Sequence, residues 1–176
     1  MDTGEEKRAL RRAAKAAVAL LSDRRRAEAA VRVMAAVRRD PDFIAAGHVL
    51  AFWPLPDEID LRPLITGALP GKRFYLPAVS GDDLLVKPYD GRLEQGAFHI
   101  MEPGTPAVDP GRIDYVIVPG VCFDASGRRL GRGRGYYDRF LPATRAVKAG
   151  VCYAAQCVER VPVDAFDIRV DKVFFG

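Results

Sequence analysis

The chain has 176 residues, 49% of them hydrophobic, enough to enclose one sizeable core and short for two domains. Its net charge of +4 is uneven, since residues 1–39 hold 11 of the 27 lysines and arginines against 5 acids and leave the remainder slightly acidic. No apolar run approaches the ~20 residues needed to span a bilayer, and Cys122, Cys152 and Cys157 match no metal-ligand spacing, which argues against a membrane protein and against a structural metal.

An odd number of cysteines in apolar surroundings reads as buried free thiols in a reducing compartment, so a cytoplasmic protein is expected. The Arg- and Ala-rich start is interrupted by Asp2, Glu5 and Glu6 and leads into no secretory apolar segment, so it reads as mature protein. Residues 5–21 form an amphipathic helix by spacing: Leu10, Ala14, Ala17 and Leu21 recur at its period, while Lys7, Arg8, Arg11, Arg12 and Lys15 fall largely on other faces. Ser22 can cap a second helix, with Ala27, Val31, Met34 and Val37 as the buried stripe and its arginines solvated. Asp40-Pro41 starts a short helix that ends at Gly47, and residues 48–53 read as a strand stopped by Pro54 and Pro56. Residues 57–60 carry three acids that suit the start of a helix over 61–69, as caps or solvated groups. Strands are expected at 73–79, 84–89, 115–118 and 146–153, with a long Gly- and Pro-rich connection over 91–111. Such alternation argues for an α/β domain with a largely parallel sheet.

The most informative stretch follows the strand at 115–118. Gly127, Gly131, Gly133 and Gly135 allow backbone N–H groups to converge on an anion, and Arg129, Arg132 and Arg134 alternate with them. Guanidinium forks reaching charged oxygens are worth roughly 1.5–3 kcal/mol each, so the pattern reads as a polyphosphate cradle. Neither common glycine motif fits: there is no G-x-x-x-x-G-K-[ST], and Tyr136 stands where a dinucleotide fingerprint needs a small residue. The alternative from the residues alone is a flexible basic surface loop.

The run Pro119-Gly120-Val121-Cys122-Phe123-Asp124, then Gly127, then Arg129-Leu130-Gly131-Arg132-Gly133-x-Gly135-Tyr136-Tyr137-Asp138, closely resembles the signature of the 5-formyltetrahydrofolate cyclo-ligase family, also called 5,10-methenyltetrahydrofolate synthetase. Weaker likeness extends over nearly the whole chain. The resemblance implies a three-layer α/β/α, Rossmann-like single domain with the helical pair of residues 1–39 packed on it. It also implies ATP- and Mg²⁺-dependent closure of 5-formyltetrahydrofolate to 5,10-methenyltetrahydrofolate, with ADP and phosphate released. In that reaction the formyl oxygen is phosphorylated, N10 attacks the activated carbon, and no protein nucleophile is required, which suits a sequence with no Ser/His/Asp or Cys/His constellation.

Carried over residue by residue, the resemblance implies that Lys7 and Arg11, in a Lys-x-x-Leu-Arg match, hold the nucleotide phosphates with Arg129, Leu130, Gly131, Arg132, Gly133, Arg134, Gly135, Tyr136 and Tyr137. Arg132, Arg134 and Tyr136 are expected at the reacting groups, Trp53 and Glu58 on the pterin with Arg132 and Tyr136, and Asp138 and Asp167 on Mg²⁺. Asp124 is read as a brace for the glycine loop, and Tyr137 as equally suited to the core. Residues 96–103 match a family segment except that His99 stands in place of glycine, which a backbone needing positive φ would tolerate poorly. The expected partner is a small folate, with the protein a monomer. Nucleic acid is a weaker reading, because aromatics are not interleaved with the basic N-terminal run.

Overall fold

The structure, a computed structural model, describes residues 2–176. Two 17-residue helices lead the chain, α1 (Thr3–Ala19) and α2 (Asp23–Arg39), with the Ser22 hydroxyl accepting from the Arg25 N–H at 3.3 Å to cap the second. Then come α3 (Pro41–Ala45), β1 (His48–Leu50), α4 (Arg62–Thr66), β2 (Arg73–Ser80), β3 (Asp83–Pro88), β4 (Glu94–Gln95) and β5 (Met101–Glu102). The second half holds β6 (Tyr115–Val118), β7 (Cys122–Phe123), β8 (Arg129–Leu130), α5 (Tyr136–Phe140), β9 (Val147–Cys152) and β10 (Lys172–Phe175).

Six strands make the central sheet in the order β10-β9-β6-β1-β2-β3; every pairing is parallel except the β2–β3 hairpin at one edge. All four residues of β6 are buried, as a central parallel strand covered on both faces requires. Side chains alternate between the two faces. Val49, Phe74, Leu76, Tyr115, Ile117, Ala149 and Val151 meet α2, α3 and α4, while Leu50, Tyr75, Val116, Val118 and Cys152 meet Phe140 and Leu141 at α5. Helices on both faces give the expected three-layer α/β architecture.

Several local expectations are corrected. The buried face of α2 is Ala29, Ala30, Val33 and Val37, while Val31 is 64% exposed and Ala27 is also exposed. Small residues win that face because the helix lies close over the end of β10, where even a Cβ on Gly176 would come within 2.5 Å of the Ala29 carbonyl. The inward stripe of α1 is Lys7, Ala14 and Val18, so Lys7 belongs to the packed face instead of the wet one. Helix α4 stops at Thr66, three residues before its expected end. The connection over 91–111 contains the small β4–β5 hairpin, and the glycine stretch is itself a hairpin of β7 and β8. Cys122 and Cys152 are buried thiols, but Cys157 is exposed. Among the described residues no helix is long and apolar enough to cross a membrane.

Candidate active site

Parallel strands end on a common edge, and the segments leaving β1 (Phe52, Trp53, Leu55, Glu58) and β6 (Pro119, Gly120) line one cleft of about 470 Å³ beyond that edge. The β7–β8 hairpin throws the glycine-arginine segment across its mouth, α1 brings Lys7 and Arg11 to one side, and the tail brings Asp164 and Asp167. Fourteen of the fifteen site residues expected from sequence line this cleft: Lys7, Arg11, Trp53, Glu58, Arg129, Gly131, Arg132, Gly133, Arg134, Gly135, Tyr136, Tyr137, Asp138 and Asp167. Leu130 does not. Its side chain is 2% exposed and packs with Ala14, Cys122 and Val161 under the hairpin, because alternation along β8 sends it inward while its neighbours face the cleft.

Asp124 holds the hairpin together as expected. Its Oδ1 accepts from Ser126 N, Ser126 Oγ and Arg128 N at 2.9, 2.7 and 3.1 Å, and its Oδ2 accepts from Val161 N at 3.0 Å. Burial works against its charge, but these donors outweigh it and hold the carboxyl below the ordinary 3.8. Beyond β8, Gly133 (φ 103°) and Gly135 (φ 70°) turn the chain through the left-handed region, which brings Tyr136 onto the start of α5 with its hydroxyl donating to the Gly81 carbonyl at 3.2 Å.

Four cleft cations lean on an acid or a carbonyl, and the fifth, Arg134, on an aromatic ring. Lys7 Nζ donates to Asp164 at 2.7 Å and to Asp167 at 2.5 Å; burial disfavours the ammonium, yet the two carboxylates prevail and raise its pKa above 10.5. Arg11 Nε donates to the Gly131 carbonyl at 2.8 Å, which fastens α1 to the glycine turn. Arg129, its side chain 3% exposed, donates to Asp138 Oδ1 at 2.8 Å. Arg134 stacks 3.9 Å from the Phe98 ring centroid at the rim. Arg132 bridges Asp57 at 2.6 Å and Glu58 at 3.0 Å. That contact corrects the reading of Asp57 as a mere cap, whereas Asp60 does hold the Arg62 N–H at 3.0 Å at the start of α4.

Glu58 is the most deeply placed acid of the β1 side. Its Oε2 accepts from Leu55 N at 2.8 Å, and burial pushes its pKa up despite Arg132. Two buried donors of cleft-lining residues lack partners among the described residues, Arg129 Nε and Tyr137 Oη. Burial and the Glu58 charge both raise the Tyr137 pKa, so this hydroxyl stays protonated and able to donate. Tyr137 thus packs against the core and also lines the cleft.

The acids fit the needs of a magnesium ion. Asp138 uses only Oδ1 on protein, for Arg129 and for Ile168 N at 3.2 Å, and Asp167 uses only Oδ2, for Lys7 and for Asp164 N at 2.6 Å. One oxygen of each is left over. Among the described residues no cluster of three or more His, Cys, Asp or Glu side chains could hold a metal, so protein would supply one or two carboxylates and phosphate and water the rest. The cations and glycines around them suit a polyphosphate.

Sequence reasoning assigned no site role to Asp164, Phe98 and Glu102, which also line the cleft. Asp164 carried a signal, since it stands three residues from Asp167, one turn of a tight bend. Phe98 and His99 have φ of 55° and 58°, so His99 does take the left-handed conformation that glycine would take without strain. Its Nδ1 lies 2.7 Å from Gln95 Nε2, which ties it to β4 and leaves Phe98 to face the cleft.

Comparison with known proteins identifies the family and the fold. The model of the 5-formyltetrahydrofolate cyclo-ligase family matches residues 3–176. Two relatives named 5-formyltetrahydrofolate cyclo-ligase are those of Escherichia coli K12, 35% identical over 145 residues (76% of this chain, 80% of that one), and Haemophilus influenzae, 30% identical over 143 residues (74% and 76%). The solved Aquifex aeolicus 5,10-methenyltetrahydrofolate synthetase superposes with a TM-score of 0.87 at 37% identity, over 96% of this chain and 89% of that one. A Mycoplasma pneumoniae synthetase, 21% identical with a TM-score of 0.75 over 96% and 97%, shares the fold. With a whole-length family match, two relatives of this identity and a cleft that gathers the signature residues, the chain belongs to the 5-formyltetrahydrofolate cyclo-ligase family.

Proposed function

We propose that this enzyme converts 5-formyltetrahydrofolate to 5,10-methenyltetrahydrofolate at the expense of MgATP, with release of ADP and phosphate. The observation that carries the reading is that Arg132, from the glycine-arginine segment, reaches Glu58 beyond β1, so the phosphate side and the pterin side of the cleft are in contact. When bound, MgATP supplies the phosphoryl group that makes the formyl oxygen a leaving group, so that N10 can close the ring.

The chain's own residues would position and neutralise. Lys7, Arg11, Arg129 and Arg134, with the N–H groups of Gly131, Gly133 and Gly135, would hold the phosphates, and Asp138 and Asp167 would anchor Mg²⁺ through their spare oxygens. Glu58 would accept from pterin N–H donors with Trp53 against the ring. Arg132 and Tyr136 would face the formyl oxygen, and the protonated Tyr137 hydroxyl is an available donor beside Glu58. In a site of this kind, preorganised charge contributes most of the acceleration. The experiment is the rise in methenyl-folate absorbance from 5-formyltetrahydrofolate. It should require MgATP; product without nucleotide, or none with it, defeats the proposal.

A further inference from the structure

The thiols of Cys152 and Cys157 lie 3.8 Å apart, one at the buried end of β9 and the other exposed. Between them runs the single 3₁₀ turn Ala154–Gln156. This turn braces both walls of the cleft. Tyr153 Oη donates to the Glu58 carbonyl at 2.9 Å, and Gln156 Nε2 donates to the Val121 carbonyl at 2.9 Å, at the entry to the glycine hairpin. Cys157 also pairs with Phe123 of β7, and Val158 N donates to the Phe123 carbonyl at 2.9 Å.

We propose that Cys157 is a site of oxidative modification by hydrogen peroxide and that Cys152 resolves it, closing a reversible disulfide across the turn. The Cys157 thiolate attacks one peroxide oxygen, breaks the O–O bond and becomes a sulfenic acid, with hydroxide leaving. Cys152 then loses its proton and attacks that sulfur, the S–O bond breaks, and water leaves. Two thiols are oxidised and one peroxide is reduced to two waters. The exposed thiol is the one that meets oxidant, and the hydrogen bond from Cys152 draws its pKa below the ordinary 9.0. Cys122 is excluded, being 0% exposed with its thiol pushed up to about 12 by burial.

The disulfide would change the brace. A bonded pair sits at about 2.05 Å, so the two ends of the turn must draw together, and Gln156 moves with them. Its hold on Gly120 and Val121 weakens, and with it the alignment of the glycine hairpin. Rebuilding by a thiol reductant restores the brace.

Both cysteines fall in one tryptic peptide, residues 149–160, because Lys148 and Arg160 flank them. The full chain is treated with a small excess of hydrogen peroxide, alkylated under denaturing conditions and digested. The expected result is that this peptide loses two hydrogens and both alkyl groups, Cys122 stays alkylated, and dithiothreitol reverses the change. In Cys152→Ser, Cys157 should be trapped by dimedone as the sulfenic acid; in Cys157→Ser, Cys152 should remain a thiol. Three free thiols after treatment, a sulfinic Cys157 beside an intact Cys152 thiol, or oxidation of Cys122 first would each overturn the site. Calorimetric titration with MgATP then reads the brace: affinity should fall at least 5-fold in the disulfide form and recover on reduction. A disulfide with unchanged affinity overturns the link to the cleft. Failure of the reduced protein to bind MgATP would instead count against the proposed activity and leave the thiol result standing.

Discussion

Arg132 is shared by two carboxylates in the cleft, Asp57 and Glu58, and the second of these is the buried one whose pKa is raised. Arg132 uses only Oε1 of Glu58, and Oε2 has Leu55 N as its one donor, so a folate N–H could share Glu58 with Arg132 in place. Because burial raises the Glu58 pKa above its ordinary 4.5, the carboxylate proposed to accept pterin donors is lost as pH falls through that raised value. The KM for 5-formyltetrahydrofolate should rise on that acid limb, and Glu58→Gln should flatten the limb while raising KM throughout; an unchanged pH profile in the variant removes Glu58 from folate binding. Arg134 and Asp138 separate a different pair of effects. Arg134→Ala removes a rim charge and should cut kcat at least 100-fold with little change in melting temperature, since oxyanion-type donors are worth about 10²-fold or more. Asp138→Asn keeps an acceptor for Arg129 and Ile168 and should lose activity with modest destabilisation. Asp138→Ala strands a buried guanidinium and should cost about 3 kcal/mol in a urea melt.

At the scale of elements, the glycine-arginine hairpin stands on Asp124. Its four accepted hydrogen bonds tie β7, the turn and residue 161 together, so Asp124→Ala leaves several donors without an acceptor and should cost on the order of 3 kcal/mol. Its depressed pKa sets the sign. The stabilisation is present above pH 3.8 and lost as pH falls through the lower folded value, so the acid unfolding midpoint should shift upward in Asp124→Asn. His99 offers the opposite sign. A left-handed histidine costs roughly 1–2 kcal/mol and glycine's extra chain entropy returns part of it, so His99→Gly should gain up to about 1 kcal/mol by calorimetry.

These elements also mark what sequence could and could not reveal. The strand at 115–118 and the cap at Ser22 were legible because an apolar run and a hydroxyl before a helix have local causes. The phase of α2 was not, because the choice between Val31 and Val33 was made by the close approach of β10, over 130 residues away. Nor was the hairpin of β7 and β8, since two-residue strands leave no period to read. Of the cleft, the side chains were legible from the signature, whereas their pairings were not: Arg132 with Asp57, or Lys7 with Asp164, are tertiary contacts.

For the whole molecule, the cleft is assembled from α1, the ends of β1 and β6, the hairpin, and the tail, so a ligand bridging them should raise global stability. MgATP at 100 times its Kd should add about 2.7 kcal/mol, roughly 5–10 °C in the melting temperature of a chain this size, and Asp167→Asn should abolish most of that gain. Lys7→Ala should mainly raise the KM for ATP, and an unaffected KM would return α1 to scaffold. The bond from Lys7 to Asp164 and Asp167 spans almost the full length of the chain. During synthesis, the amino-terminal helix must therefore wait for its partners until residue 167 has cleared the ribosome, and a nascent chain stalled short of that point has no finished cleft.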